Sequence, residues 1–225
     1  MLPVPLENGD RLSRCEFERR YECRPDIKKA ELIEGVVYLS LPVRARSHGE
    51  PHAHIMTWLG VYCAATPGVH LADNATVRLD LDNEPQPDAL LRLEPDTGGR
   101  SSITADDYIE GAPELIVEVA ASSAAYDLHD KLQVYRRNGV QEYLVWQVYD
   151  RRLDWFQWTE DGYTALTPDS SGAIHSRTFP GLQLAVSALL QGDMAQVLAT
   201  LQKGLGTPEH QTFVARLADS HSAEQ

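Results

Sequence analysis

The stretch PELIVEVAAS, residues 113–122, has the composition of a buried β-strand with a carboxylate in its middle. Pro113 opens it, and the side chains at positions 115, 116, 117, 119 and 120, on both sides of Glu118, are apolar. An unpaired buried carboxylate is costly, because it loses its hydration without gaining a partner. The stretch therefore predicts a core strand of a sheet, with a compensating group close to Glu118.

Around this strand, the hydrophobic period switches repeatedly between that of a helix and that of a strand. The predicted elements, in chain order, are a helix from about residue 14 that Pro25 ends, two strands within 31–42, a helix at 51–66, strands at 70–81 and 87–93, a loop at 94–112, the strand itself, a helix at 122–139, a strand at 142–149, a hairpin at 152–167, a strand and turn at 173–186, helices near 185–203 and 208–219, and a disordered tail from residue 220. This order predicts an α/β layered fold around a mixed sheet.

The 225 residues, 43% of them hydrophobic, are enough for one sizeable core. No run of about 18 apolar residues exists, so no transmembrane helix is expected. The N-terminal sequence MLPVPLENGD lacks the basic and apolar regions of a signal peptide. Three cysteines, Cys15, Cys23 and Cys63, follow no regular spacing, which suits a reducing compartment. We therefore expect a cytoplasmic protein that does not enter a membrane.

The net charge of −13 argues at first against nucleic acid, because phosphate binding usually needs a basic surface. The charge is unevenly spread, however. Residues 73–118 carry twelve acidic side chains and three arginines, whereas residues 131–152 carry five basic and two acidic side chains. One segment is thus rich in possible cation ligands and the next is mildly basic, although acidic composition also simply favours solubility.

Three acidic residues lie on or beside predicted strands, namely Glu31, Asp88 and Glu118. If the strands of Asp88 and Glu118 are neighbours, their carboxylates converge, and like charges at close range need a proton or a cation between them. Mg²⁺ suits such a site, since it prefers oxygen ligands and keeps waters for a phosphate substrate. A shared divalent cation would therefore compensate Glu118, and a buried Glu–Lys pair without metal is the alternative.

Lys131 lies thirteen residues after Glu118, on the helix predicted to follow the strand. If this helix folds back along the sheet, the long side chain can bring an ammonium to the carboxylates. There it would orient an attacking water or stabilise the transition state of phosphoryl transfer. Two other interpretations remain open: a solvated helix lysine, or a surface ion pair with Asp127 four residues earlier.

Five segments together resemble the Uma2 family, formerly DUF820: AELIEG (30–35), QPDALL (86–91), GAPELIVEVAASS (111–123), DLHDKLQVYRRNGVQEYLVW (127–146) and FPGLQL (179–184). They follow the family's order and spacing over about residues 15–190. The resemblance implies a restriction-endonuclease-like core with a PD-(D/E)xK-type site: a central mixed β-sheet flanked by helices, with an additional β-hairpin and C-terminal helices. It also divides the chain into an N-terminal helical segment (1–30), a nuclease-like domain (31–190) and a C-terminal helical extension and tail (191–225).

The resemblance also implies roles for single residues. Asp88 corresponds to the PD aspartate, Glu118 to the glutamate of the VEV strand, and Glu31 to the acidic residue of the family's YELIDG segment. Lys131 corresponds to a lysine displaced onto the following helix, because the usual lysine position, two after Glu118, is Ala120 here. The family commonly has LSPST after the glutamate, where this chain has AASSA.

Two assignments have rivals within the sequence. His52 corresponds to a family histidine that opens the next helix, with His48 and His54 as alternatives. A zinc site is disfavoured, because His52 and His54 are two apart and cannot share one helical face, and no cysteine lies nearby. Glu34 competes with Glu31, although strand alternation favours Glu31 as the inward residue.

These residues, in the order of the family that the chain resembles, favour a Mg²⁺- or Mn²⁺-dependent endonuclease acting on DNA. Asp88 and Glu118 would bind the metal, Glu31 would help directly or through water, and Lys131 would act on the attacking water. A homodimer is a possible assembly, because cleavage of two strands needs two sites. The terminal helices could supply its interface. Two alternatives stay open: an inactive nuclease-fold protein that serves in binding or assembly, as the acidic charge suggests, and a hydrolase of smaller phosphate esters, which need fewer cationic contacts.

Overall fold

The structure is a computed structural model that describes residues 4–40, 42–121 and 124–222. Its strands, numbered in chain order, are β1 (Ala30–Ile33), β2 (Val36–Leu39), β3 (Val69–Asp73), β4 (Val77–Arg78), β5 (Ala89–Leu93), β6 (Ser101–Ile103), β7 (Ile109–Gly111), β8 (Leu115–Ala120), β9 (Glu142–Gln147), β10 (Arg152–Thr159), β11 (Gly162–Ala165), β12 (Ala173–His175) and β13 (Gln183–Ala185).

The helices of these ranges are α1 (Arg14–Glu22), α2 (Glu50–Ala65), α3 (Ala124–Tyr126), α4 (Leu132–Asn138), α5 (Val186–Gln191), α6 (Met194–Leu205) and α7 (Pro208–Ser222). Two π-helical segments adjoin them: Ala45–Gly49 leads into α2, and Asp127–Lys131 joins α3 to α4. A short 3₁₀ turn covers Pro95–Thr97. None of the helices in the described ranges is long and apolar enough to cross a membrane.

The central sheet has six strands in the order β11-β10-β9-β8-β5-β3. Strand β8 pairs parallel to β9 and antiparallel to β5, so the sheet is mixed, as predicted. All six residues of β8 are buried, because helices cover both of its faces. The additional hairpin is β10–β11, which extends the sheet at one edge.

The two faces of β8 enter different parts of the core. On one face, Leu115, Val117 and Val119 pack with α2 and the C-terminal helices. On the other, Ile116 and Ala120 pack with α4. Since side chains alternate along a strand, Glu118 belongs to the α4 face. The helix that carries Lys131 therefore lies on the same side of the sheet as the central carboxylate.

The hairpin β1–β2 forms a separate two-stranded sheet beside the central one. Leu32 of β1 exchanges backbone hydrogen bonds with Glu84, at 3.1 and 2.7 Å. This pairing ties β1 to the segment that leads into β5. It brings Glu31, the neighbour of Leu32, toward the same region as Asp88.

Several predicted elements differ from the observed ones. The loop predicted at 94–112 contains β6 and β7, which form a three-stranded sheet with β4. Each is only three residues long, too short to show a hydrophobic period. The strand predicted at 70–81 breaks at Asn74, whose φ of 51° is left-handed and incompatible with a continuous strand.

The C-terminal part also differs in detail from the prediction. The predicted strand and turn at 173–186 is a pair of antiparallel strands, β12 and β13. The predicted disordered tail begins inside α7, which continues to Ser222, and residues 223–225 lie outside the described ranges. Helices α6 and α7 contribute Val197, Leu201 and Phe213 to the core cluster of α2.

Candidate active site

Asp88 directly precedes β5, and Glu118 lies on the neighbouring strand β8. Ala89 pairs with Val117 in the antiparallel register of β5 and β8, so the same register places Asp88 opposite Glu118. The Val119 backbone N–H donates to Asp88 Oδ2 at 2.8 Å. Both carboxylates are buried. Two like charges are thus held at facing positions in the interior, and each requires compensation.

The Glu118 carboxylate has two side-chain donors on the neighbouring helix. Lys131 Nζ lies 2.8 Å from Glu118 Oε1, and the Tyr135 hydroxyl donates to the same oxygen at 3.0 Å. Lys131 and Tyr135 are four residues apart, which places them on one face of the helix. The helix after β8 therefore folds back over the sheet and provides the partner that Glu118 requires.

The Lys131 ammonium is surrounded by carboxylates. Besides Glu118, it donates to Glu31 Oε1 at 2.9 Å and lies 3.7 Å from Asp127 Oδ1. Only 3% of the lysine side chain is exposed, so both alternatives, a solvated lysine and a surface pair with Asp127, are wrong. Tyr126 adds its ring, whose centroid is 5.4 Å from Lys131 Nζ.

Glu31, rather than Glu34, is the residue of the first hairpin that joins the cluster. Glu31 is buried on β1, and its Oε1 also accepts the Gln86 backbone N–H at 2.7 Å. Glu34 occupies the turn between β1 and β2 with a left-handed φ of 52° and pairs with Arg137 at the surface, at 2.8 Å. Glu31 is thus the inward residue, as predicted, although all four residues of β1 are buried and Glu34 lies outside the strand.

Burial and the ion pair between Lys131 and Glu118 have opposite effects on the pKa values of these two residues. Burial raises the pKa of Glu118, and the Lys131 ammonium opposes this, while the carboxylates of Asp88, Asp127 and Glu31 raise it further. Burial alone would lower the pKa of Lys131, but the surrounding carboxylates hold it well above its usual range. Lys131 therefore keeps its proton near neutral pH and acts as a hydrogen-bond donor, not as a base.

The three candidate histidines, His48, His52 and His54, have different contacts. His48 reaches the candidate site most directly: its Nε2 lies 3.5 Å from Asp88 Oδ1, and its Nδ1 is 3.0 Å from the Val119 carbonyl. His52 Nε2 contacts the Asp88 backbone carbonyl at 3.0 Å and Asp73 Oδ1 at 3.1 Å. His54 instead stacks on Trp146, with ring centroids 6.5 Å apart.

Lys29 is a site neighbour that sequence reasoning missed. It immediately precedes β1, and its ammonium lies 3.3 Å from Asp88 Oδ1 and 3.1 Å from Asn74 Oδ1. Its neighbour Lys28 is exposed, so nothing local distinguishes the two lysines. Tyr135 was also missed, and Asp127 was considered only as a surface partner, although their positions four residues on either side of Lys131 are a helical-face signal.

Both π-helical segments carry residues of the cluster. His48 lies in Ala45–Gly49, and Asp127 and Lys131 lie in Asp127–Lys131. A π-helical segment shifts the register of the residues that follow and occurs often at functional sites. Within the described ranges, no group of three or more His, Cys, Asp or Glu side chains has the geometry of a metal centre.

The fold places the chain in a class. Its mixed sheet flanked by helices is similar to a solved structure described as "a putative nuclease belonging to DUF820" from Anabaena variabilis ATCC 29413. The TM-score is 0.56, the sequences are 11% identical, and the match covers 77% of this chain and 96% of that one. At so low an identity, the likeness shows the fold.

The sequence places the chain in a family. The profile of the Uma2 family, described as "Putative restriction endonuclease", matches residues 15–187. The chain belongs to the Uma2 family, which confirms the resemblance carried by the five segments. Among curated proteins, none matches it.

Proposed function

We propose that the protein is a Mg²⁺- or Mn²⁺-dependent endonuclease that hydrolyses phosphodiester bonds in DNA. The observation that carries the proposal is the facing pair Asp88 and Glu118, with Lys131 bound to Glu118. Membership of a family described as "Putative restriction endonuclease" supports the reaction class. Three free cysteines support a location in the reducing cytoplasm.

The donor chemistry of the facing pair fits a hard cation. Both groups are carboxylates, the ligands that Mg²⁺ and Mn²⁺ prefer, and two protein ligands leave room for water and a substrate phosphate. Asp88 and Glu118 would hold the ion, with Glu31 contributing through water. When bound, the ion would supply Lewis-acid stabilisation of charge developing on the phosphate.

The chain's own residues would hold this arrangement in place. Val119 N–H orients Asp88, and Lys131 and Tyr135 orient Glu118. An ammonium has three N–H groups, and Lys131 directs two of them at Glu118 and Glu31. The third would donate to the attacking water, which is the role expected for the motif lysine.

The test is cleavage of plasmid and single-stranded DNA with Mg²⁺ or Mn²⁺. We expect Asp88→Asn and Lys131→Ala to lose at least about 100-fold in rate, the usual effect of removing a positioned charged group. Asp26→Asn is the matched control, because Asp26 is an exposed aspartate that forms an ion pair with Arg24 and is remote from the candidate site in sequence. Equal cleavage by wild type, Asp88→Asn and Lys131→Ala would show that the activity belongs to a contaminant or to another site.

A second candidate, an inactive nuclease-fold binding or assembly protein, is favoured by one observation. Glu118 already has a complete buried ion pair with Lys131, and Asp88 has Lys29 and His48 as neighbours. Calorimetric titration with Mn²⁺ separates the two candidates. Binding that Glu118→Gln abolishes supports the endonuclease, whereas no binding by wild type supports the inactive protein.

A hydrolase of smaller phosphate esters would cleave such an ester and leave DNA intact.

Homodimerisation is a further part of the proposal, since two-strand cleavage needs two sites. The molar mass from light scattering tests it. A value near twice 25.1 kDa supports a dimer, and a value near 25.1 kDa contradicts it.

A further inference from the structure

The candidate site contains two lysine ammonium groups in unlike settings. Lys131 is 3% exposed and is held by two carboxylate oxygens within 3 Å. Two of its three N–H groups are already directed at these carboxylates, and at 3% exposure it is a poor partner for a phosphate of the substrate. Lys131 thus belongs to the interior side of the cluster.

Lys29 lies on the partly solvent-exposed side of the candidate site. Its side chain is 23% exposed, and its partners are one carboxylate, Asp88 at 3.3 Å, and one neutral amide oxygen, Asn74 at 3.1 Å. His48 and His52 share this side, with side-chain exposures of 22% and 17%. The ion pair of Lys29 is longer, more solvated and supported by fewer charges than that of Lys131. Replacing Asp88 by another anion at Lys29 therefore costs less free energy than replacing a carboxylate at Lys131.

The backbone of Lys29 is nevertheless fixed. Its carbonyl accepts the Ser40 N–H at 3.1 Å, which extends the ladder of β1 and β2 by one step. The side chain therefore starts from a rigid hairpin and ends at the Asp88 carboxylate, fifty-nine residues away in sequence. An ammonium at this place is pre-positioned beside one of the two proposed metal ligands.

We propose that Lys29 is the phosphate-binding ammonium of the site, and that it exchanges Asp88 for a DNA phosphate when Asp88 takes up a divalent ion. The inference rests on the proposed function. Lys29 and His48 lie 3.3 and 3.5 Å from Asp88 Oδ1, so a metal bound at this oxygen would compete with both of them. The released ammonium has three donors and a full charge, which suit a phosphate oxygen. Position 120, the usual lysine position of the motif, is alanine in this chain. Lys29 would therefore supply a cation for the substrate phosphate from a different segment.

The test compares Lys29→Gln with Lys28→Gln. Both variants lose one positive charge at adjacent positions, but Lys28 is exposed and does not approach Asp88 in the structure. The measurement is the affinity for a fluorescent single-stranded oligonucleotide in Ca²⁺, by anisotropy. We expect Lys29→Gln to weaken binding about tenfold, with a salt slope smaller by about 0.7, and Lys28→Gln to weaken it less than about twofold. Lys29→Arg should retain most of the affinity.

A second measurement addresses the exchange without DNA. Calorimetry with Ca²⁺ should show tighter binding by Lys29→Gln than by wild type or Lys28→Gln, because a competing cation has been removed from Asp88. Equal affinities of all three proteins for Ca²⁺ would overturn the exchange. Equal weakening of DNA binding by the two glutamine variants would overturn the role of Lys29, while Asp88-dependent cleavage would keep the proposed function. A wild-type protein that neither binds nor cleaves DNA would overturn both.

Discussion

Lys131 Nζ lies 2.8 Å from Glu118 Oε1, and both side chains are almost completely buried. The pair joins the central strand β8 to the helix that follows it. Glu31 and Asp127 complete the shell of negative charge around the ammonium. Such a cluster is stable as a unit and unstable when one member is removed, because the remaining charges stay in the interior.

Lys131→Met should therefore destabilise the fold strongly. We expect a loss of about 3–5 kcal/mol in the free energy of unfolding at pH 7, measured by chemical denaturation. Lys203→Met is the matched control, since Lys203 is exposed on α6, and it should change stability by no more than about 0.5 kcal/mol. The double variant Lys131→Met/Glu118→Gln should recover part of the loss. Equal stability of the two methionine variants would contradict a structural role for the buried ammonium.

Tyr135→Phe tests the second donor to Glu118. The hydroxyl bond at 3.0 Å goes to a carboxylate, so its loss should lower the free energy of unfolding by about 2 kcal/mol. Tyr163→Phe removes a bond of similar length to a neutral acceptor, the Val140 carbonyl at 2.9 Å, and should lower it by about 1 kcal/mol. Thermal and chemical denaturation measure both. A smaller effect for Tyr135→Phe than for Tyr163→Phe would argue against an ionised Glu118.

Glu84 should make stability fall as the pH rises. Burial raises its pKa to about 8, with nearby Glu18 adding to the rise and Arg78 opposing it. The folded state thus binds the proton more tightly than the unfolded state. The stabilisation that comes from protonated Glu84 is complete below its ordinary pKa of 4.5. It is lost as the pH rises through its folded-state pKa of about 8.

Glu84→Gln removes this titration and keeps an amide that can donate to Glu18. We expect the melting temperature of wild type, relative to the variant, to fall between pH 6 and pH 9. Each kcal/mol lost corresponds to about 2–4 °C for a chain of this size. A difference in melting temperature that stays constant over this range would show that Glu84 does not titrate there.

The three cysteines should react at two distinct rates. Cys15 and Cys23 are exposed, whereas burial raises the pKa of the Cys63 thiol to about 12. Because the thiolate is the reactive form, a disulfide reagent at pH 8 should modify two thiols quickly and the third at least about 100-fold more slowly. Cys63→Ser should abolish the slow phase, and denaturant should make all three thiols fast. Three equal rates in the native protein would contradict the packing of α2.

Some features were predictable because they depend on local pattern alone. An apolar run with Glu118 in its centre indicates a buried strand, and the observed β8 is buried along its whole length. Glu31 was correctly preferred over Glu34 for the interior, since Glu31 lies on a buried strand and Glu34 in the turn that follows it. The central mixed sheet and the edge hairpin follow from the same periodicities.

Other features could not be predicted, because they depend on contacts between distant segments. The strands β6 and β7 are too short to have a period and exist through pairing with β4. The choice among three histidines depends on where the π-helical segment before α2 meets Asp88, and it brings His48 to the carboxylate. Lys29 and Lys28 are equivalent in sequence, and only the fold brings one of them to Asp88.

The sequence by itself determined that Glu118 is buried and needs a partner, since an apolar strand cannot leave a carboxylate uncompensated in the core. It also determined the family, through five segments in the family's order and spacing. Only the tertiary structure decided which groups compensate the charge: Lys131 and Tyr135 from the helix, with Glu31 and Asp127 around the ammonium. The reason is physical. Burial is a property of a local pattern, whereas electrostatic compensation depends on distances of a few ångströms that are set only when strands and helices pack.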